Sequence, residues 1–161
     1  MSRRVTTIGV YRWAPDGFID ALKADGVVLL IDVRQRRGVR GSEYAWANSA
    51  RLQGMLAEAG IDYRHRKELA PTTELRQLQY AEDSRQGVGK RSRAQLAPAY
   101  RERYTREILD AVDLASLVEG LPTRGACALL CVEADPEACH RSLIAERLSG
   151  EHGVRVGHLR P

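Results

Sequence analysis

The run Val27-Val-Leu-Leu-Ile-Asp-Val33 is apolar at six of its seven positions, with no alternation between faces. A strand with one solvated face alternates apolar and polar side chains, whereas an unbroken apolar run fits a strand covered by helices on both sides. Ala126 to Val132 is a second such run. Two strands of this kind separated by helical stretches are the signature of a parallel α/β sheet with crossover connections. The expectation is one Rossmann-like domain over residues 1–161, an open and mostly parallel sheet flanked by helices.

The remaining elements fit that frame. Val5 to Val10 is a short β-rich run, and Phe18, Ile19 and Leu22 form a helical stripe after the turn signal Pro15-Asp16-Gly17. A polar loop from Gln35 to Ser42 should expose Arg36, Arg37 and Arg40. A helix is expected from Tyr44 to Ala59, stopped by Gly60, before a third strand over Ile61 to His65. Pro71-Thr72-Thr73-Glu74 resembles a helix start, and Gly87-Val88-Gly89-Lys90 a mobile turn. The latter is no phosphate loop, since it lacks the preceding strand and the longer glycine spacing. A long helix is expected from Pro98 to Val118, and a closing strand over Val154 to Leu159.

Several classes fall away. No stretch approaches the roughly 18 apolar residues of a membrane span, and Ser2-Arg3-Arg4 is not followed by a long apolar region. Three cysteines, an odd number, argue against a disulfide scaffold and for a reducing, cytoplasmic setting. The net charge of +4 is unevenly placed. Residues 64–106 hold eleven Lys or Arg against five acids, so this segment is a candidate for meeting nucleic-acid phosphates.

Chemistry concentrates in Cys131-Val-Glu133-Ala-Asp135-Pro136-Glu137-Ala-Cys139-His140-Arg141, at the junction of the last apolar run and a helical stripe of Leu143, Ile144 and Leu148. Asp135-Pro136 reads as the helix start, with the Asp carboxylate accepting free backbone N–H groups. Cys139, His140 and Arg141 then fall in or near the first turn, where the helix dipole lowers a thiol pKa. On a helix His140 would lie about 100° round from Cys139, which makes Cys131 or Glu133 the better neighbour of that thiol. Cys127 reads as a small core residue.

Ligand crevices of open parallel sheets lie beyond the carboxyl ends of the strands. That edge should gather Tyr11 and Arg12 from the first strand, Asp32 and Arg34 from the second, and Cys131 and Glu133 from the fourth. An Asp32 salt bridge to an arginine would fix its guanidinium for an anion, or simply cap the sheet.

Thr7-Ile8-Gly9, Ile31-Asp32-Val33-Arg34, Gly60-Ile61-Asp62-Tyr63 and above all Cys131-x-Glu133 followed by Cys139-His140-Arg141 resemble, in that order, the family called domain of unknown function 488. The resemblance spans nearly the whole chain and implies a Rossmann-like α/β domain, with no settled activity. Many members carry a Leu-Gly-Gly element after the third strand, where this chain has Leu69-Ala70-Pro71-Thr72-Thr73.

Three functions follow from the groups themselves. The first is a small enzyme acting on an anionic small molecule, with Cys131, Glu133, Cys139, His140 and Arg141 as reacting groups and Tyr11, Arg12, Asp32 and Arg34 binding the ligand. A phosphatase loop is ruled out, because residues 132–138 contain no Arg. The second is metal or haem binding through Cys131, Cys139 and His140, with Glu133 nearby; the paired Cys-x-x-Cys units of standard zinc sites are absent. The third is a nucleic-acid-binding or -processing module using Arg64 to Arg106.

Overall fold

The computed structural model describes residues 3–161. Five strands, β1 (Arg4–Ile8), β2 (Val27–Asp32), β3 (Asp62–His65), β4 (Ala126–Leu130) and β5 (Arg155–His158), pair in the order β3-β2-β4-β1-β5. Every pairing is parallel. This is the expected α/β architecture. β4 comes fourth in sequence yet occupies the centre, between β2 and β1, and all five of its residues are buried. β2 departs from the expectation at one position: Val28 is 40% exposed, where a register shift separates Val27 from Leu29 against β4.

The flanking helices are α1 (Pro15–Ala24), α2 (Ser49–Glu58), α3 (Thr73–Arg85), α4 (Pro98–Tyr104), α5 (Leu114–Glu119) and α6 (Arg141–His152). α1 buries Phe18 and Leu22 as its stripe requires. α3 begins where Thr72 accepts a hydrogen bond from the Leu75 N–H at 3.2 Å, a side-chain N-cap. Gly60 follows the end of α2 at φ +74, a conformation that only glycine adopts without strain. Among the described residues, no helix is long and apolar enough to cross a membrane.

Three expected helices are revised. The segment from Tyr44 to Ala59 divides at Asn48, which is extended (ψ 141) and accepts the Val39 N–H on Oδ1 at 2.8 Å. A 3-10 turn, Ser42–Ala47, precedes it and α2 follows. An Asn that bonds the backbone of a neighbouring loop competes with helix propagation. The segment from Pro98 to Val118 also divides. α4 runs into a π-turn over Thr105–Leu109, and Asp113 caps a new helix by accepting the Ser116 N–H at 3.1 Å.

The third revision bears on the site. Asp135-Pro136 opens only a short 3-10 turn, Pro136–Ala138, and the Asp135 carboxylate caps nothing; it meets Arg160 instead. Cys139 is extended (φ −139, ψ 148), His140 is the N-cap residue, and α6 starts at Arg141. Cys139 therefore stands in the connection before the helix rather than in its first turn. In the loop expected to expose three arginines, Arg36 and Arg40 are exposed, whereas Arg37 is half-buried and reaches the Tyr63 hydroxyl at 3.4 Å.

Candidate functional site

Beyond their last paired residues, the three central strands remain stitched together. Val10 and Tyr11 N–H groups both donate to the Val132 carbonyl (2.8 and 3.0 Å), Cys131 N–H donates to Ile8 O, and Val33 N–H donates to Leu130 O. Gly9 makes this approach possible: a Cβ there would stand 1.9 Å from the Glu133 carbonyl oxygen. A backbone crossing this close admits no side chain.

Cys131, Glu133, Cys139 and His140 converge at this edge, on the floor of a cavity of about 1060 Å³. His140 is fixed from one side, with Nε2 on the Val33 carbonyl at 2.8 Å, while Nδ1 lies 3.6 Å from Cys131 Sγ and 3.7 Å from Cys139 Sγ. Because a carbonyl only accepts, Nε2 carries the proton and Nδ1 is left to face the thiols. The sequence argument against a Cys139–His140 contact assumed helical backbone. The chain instead turns from extended backbone at Cys139 to αR at His140 (φ −60, ψ −19), and the two side chains meet.

The charge states follow from this contact. Burial opposes ionisation of Cys139, but the Cys131 thiol, His140 and Arg141 outweigh it and hold its pKa well below the ordinary thiol range. Cys131 is driven the other way, by burial and then by Cys139 and Glu133. His140 is raised, burial being overcome by the Cys139 thiolate. The contact thus favours the thiolate at Cys139 and the protonated imidazole at His140, and disfavours ionisation of Cys131. Cys127, sealed in β4, is pushed up to about 12 by burial and takes no part.

Glu133 on the floor is held by a partner absent from the sequence reasoning. Glu133 accepts Arg93 at 2.6 Å, and Arg93 also donates to Asp83 (2.9 Å) and the Ala138 carbonyl (3.1 Å). Burial, with the Cys139 charge, still raises the Glu133 pKa against the pull of Arg93 and Lys90. Lys90 is half-buried on the cavity wall. Burial works against its charge, but Glu133 and its other neighbours raise its pKa on balance. The segment read as a mobile turn and the residues after it therefore supply Lys90, Arg91 and Arg93 to the cavity. Arg91 packs against the adjoining Tyr11 and Tyr44 rings (5.1 and 5.2 Å to the centroids) and pairs with Glu43. Only the local excess of basic residues pointed to these groups.

The other expected residues are placed differently. Arg141 is fully buried, donating to Thr7 Oγ1, Glu133 O and Ala134 O, and does not line the cavity. Asp32 is sealed, accepting Arg34 Nε and NH2 (2.9 and 2.8 Å) and the Tyr63 hydroxyl (2.7 Å). Arg34 reaches the cavity wall, with its remaining NH1 on Ala47 O at 2.9 Å. Tyr11 lines the cavity. Arg12 takes a left-handed conformation (φ 72), is exposed, and lies outside the lining. Pro71 lines the wall.

The family model described as Domain of unknown function DUF488 matches residues 14–148. The chain belongs to the DUF488 family. No curated protein and no solved structure matches this DUF488 chain.

Electrostatically, the DUF488 cavity is one-sided. Six arginines (34, 36, 40, 76, 91 and 93) and Lys90 line it, against Glu133 as the one acid among the described residues. By contrast, the outward cations of residues 64–106 are largely neutralised. Of the seven that lie outside the cavity, five, Arg66, Arg85, Arg101, Arg103 and Arg106, form ion pairs. Cys131, Cys139 and His140 also present three donor atoms within 4.8 Å of one another, all buried.

Proposed function

We propose that this protein is a small enzyme that binds an anionic small molecule in the cationic cavity and reacts with it through the Cys139 sulfur. One observation carries the reading: the His140 Nδ1 to Cys139 Sγ contact of 3.7 Å stands on the floor of a cavity whose charged wall residues are all basic. A thiolate is the reactive form of cysteine, and an adjacent imidazole is the usual means of generating it. Cys139 is the nucleophile, His140 takes and returns its proton, and Glu133 holds Arg93 in the wall. Cys131 supports the thiolate from its other side. Arg141, Asp32 and Arg34 act as positioning residues that hold the strand ends and the His140 backbone in register.

Alkylation tests both parts of the reading at once. Iodoacetate and iodoacetamide carry out the same reaction, but only the former is anionic. Cys139 should react with iodoacetate several-fold faster than with iodoacetamide at low salt, and the preference should shrink as salt is added. Equal rates, or a Cys139 no more reactive than Cys127, would overturn the proposal.

A second reading, metal binding at Cys131, Cys139 and His140, is favoured by distance. Zinc bonds of about 2.3 Å to sulfur and about 2.0–2.1 Å to nitrogen, at tetrahedral angles, set S···N separations of about 3.6 Å. Those observed are 3.6 and 3.7 Å. The Val33 carbonyl on Nε2 is also the kind of partner that orients a ligating imidazole. Elemental analysis of the purified protein separates the two: one zinc per chain supports the metal, and a metal-free protein with a reactive Cys139 supports the nucleophile. Nucleic-acid binding by residues 64–106 is the weaker reading, because most of that charge is already paired and Arg76 and Lys90 point into the cavity.

A further inference from the structure

The nucleophile reading leaves Cys131 with little to do, yet its sulfur shares one imidazole nitrogen with Cys139 almost symmetrically, at 3.6 and 3.7 Å. The two sulfurs lie within 4.8 Å of each other. Cys131 ends the central strand and is anchored by its N–H on Ile8 O, whereas Cys139 stands in the connection between the 3-10 turn and α6. One sulfur stands at the strand end, and the other lies in extended backbone just before α6, whose Ser142 N–H donates to the Cys139 carbonyl.

We propose that Cys131 and Cys139 form a redox dithiol that reduces small disulfides bearing carboxylate groups. The proposal rests on Cys139 being the nucleophile. Cys139 sulfur attacks one sulfur of R–S–S–R′, forming a Cys139–S–S–R bond and breaking the S–S bond of the substrate. The proton of Cys139 passes through His140 Nδ1 to the departing R′ thiolate. Cys131 sulfur then attacks the Cys139 sulfur, its own proton passes to the same nitrogen, and R–SH leaves. Two thiols of the protein become one disulfide, and the two electrons are carried away in R–SH and R′–SH. A second dithiol restores the protein. The symmetric placement of His140 suits it to both proton transfers, and the basic walls select carboxylate-bearing disulfides over cationic ones.

The test uses the intact protein with oxidised glutathione, which carries carboxylates, and cystamine, which is cationic. Oxidised glutathione should remove two of the three thiols, release two glutathiones per chain, and leave a Cys131–Cys139 bond on peptide mapping. Cystamine should react about tenfold more slowly at low salt. C131S should stop at one glutathionyl group on Cys139. Should that variant lose the native fold, the wild-type map alone decides. Three intact thiols, a bond involving Cys127, or a stable glutathione adduct on the wild-type protein would each overturn the proposal. If iodoacetate still modifies Cys139 rapidly in that event, the nucleophile reading stands and only the dithiol fails.

Discussion

Arg93 donates to Glu133 at 2.6 Å although forty residues separate them, and each side chain is almost closed to solvent, at 7% and 6% exposure. The same guanidinium holds Asp83 at 2.9 Å. It therefore carries two buried carboxylates and joins α3 and the segment before α4 to the end of the central strand. Removing one partner of such a pair leaves a buried charge without compensation. Arg93→Met should lower stability by about 3–5 kcal/mol in urea unfolding. The double variant R93M/E133Q should recover part of that loss, since only Asp83 then remains unpaired. Equal losses in the single and double variants would show that the pair is not coupled.

The thiolate and imidazolium set two opposed pH dependences. Cys139 is depressed in the folded protein, so its contribution is full above the ordinary thiol value of 9.0 and lost as pH falls through the folded value. His140 is raised, so its contribution is full below 6.5 and lost as pH rises through the folded value. Cys139→Ser removes the first dependence outright and weakens the second, because the thiolate is what raises His140. Urea unfolding at pH 5 to 9 should give a flatter profile for the variant. The Cys139 alkylation rate should meanwhile hold its plateau through neutral pH, where an ordinary thiol is already losing reactivity.

Gly9→Ala would put a methyl group 1.9 Å from the Glu133 carbonyl oxygen, and backbone must move to admit it. Overpacking of this kind costs about 1–3 kcal/mol. The displaced residue is Glu133 itself, so Cys139 alkylation should change together with the melting temperature. A variant with lowered stability and unaltered alkylation would separate the crossing from the site.

Arg34→Lys distinguishes holding the sheet from binding the ligand. Lysine cannot reproduce the two-pronged bond to Asp32 together with the bond to Ala47 O. The expected result is a loss of about 3 kcal/mol in unfolding free energy, with the preference for iodoacetate over iodoacetamide preserved. Loss of that preference in a stable variant would make Arg34 a ligand-binding residue.

The sheet was legible because its evidence is local: unbroken apolar runs in β2 and β4, and turn or cap residues at Gly60 and Thr72. The Cys131 to Arg141 cluster was legible for the same reason, as its members lie within eleven residues. What escaped depends on contacts that periodicity does not encode. Asn48 breaks a helix by bonding Val39, and Asp113 starts one in the middle of an apolar stripe. Cys139 is extended because Asp135-Pro136 supports a single 3-10 turn, and this alone reverses the argument about which residue His140 faces. Arg93 and Lys90 reach the site from a stretch with neither strand nor helix, over a distance in sequence that only the folded chain closes. Arg141 fits every local criterion for a reacting group, and its role as a buried bolt appears only once its three acceptors are seen.

The position of β4 between β2 and β1 makes the cavity a chamber of two unequal parts. Its base, from Leu130 to Glu133, is bonded to neighbours on both sides and cannot drift without unzipping the middle of the sheet. Its roof, residues 36–40 and 89–93, is built from side chains on surface segments and is fastened by an arginine packed against two adjoining tyrosines. Arg93 apart, which ties the roof to Glu133 in the base, chemistry and selectivity are thereby housed separately: rewriting the roof alters what is admitted, while the reactive base stays as it is.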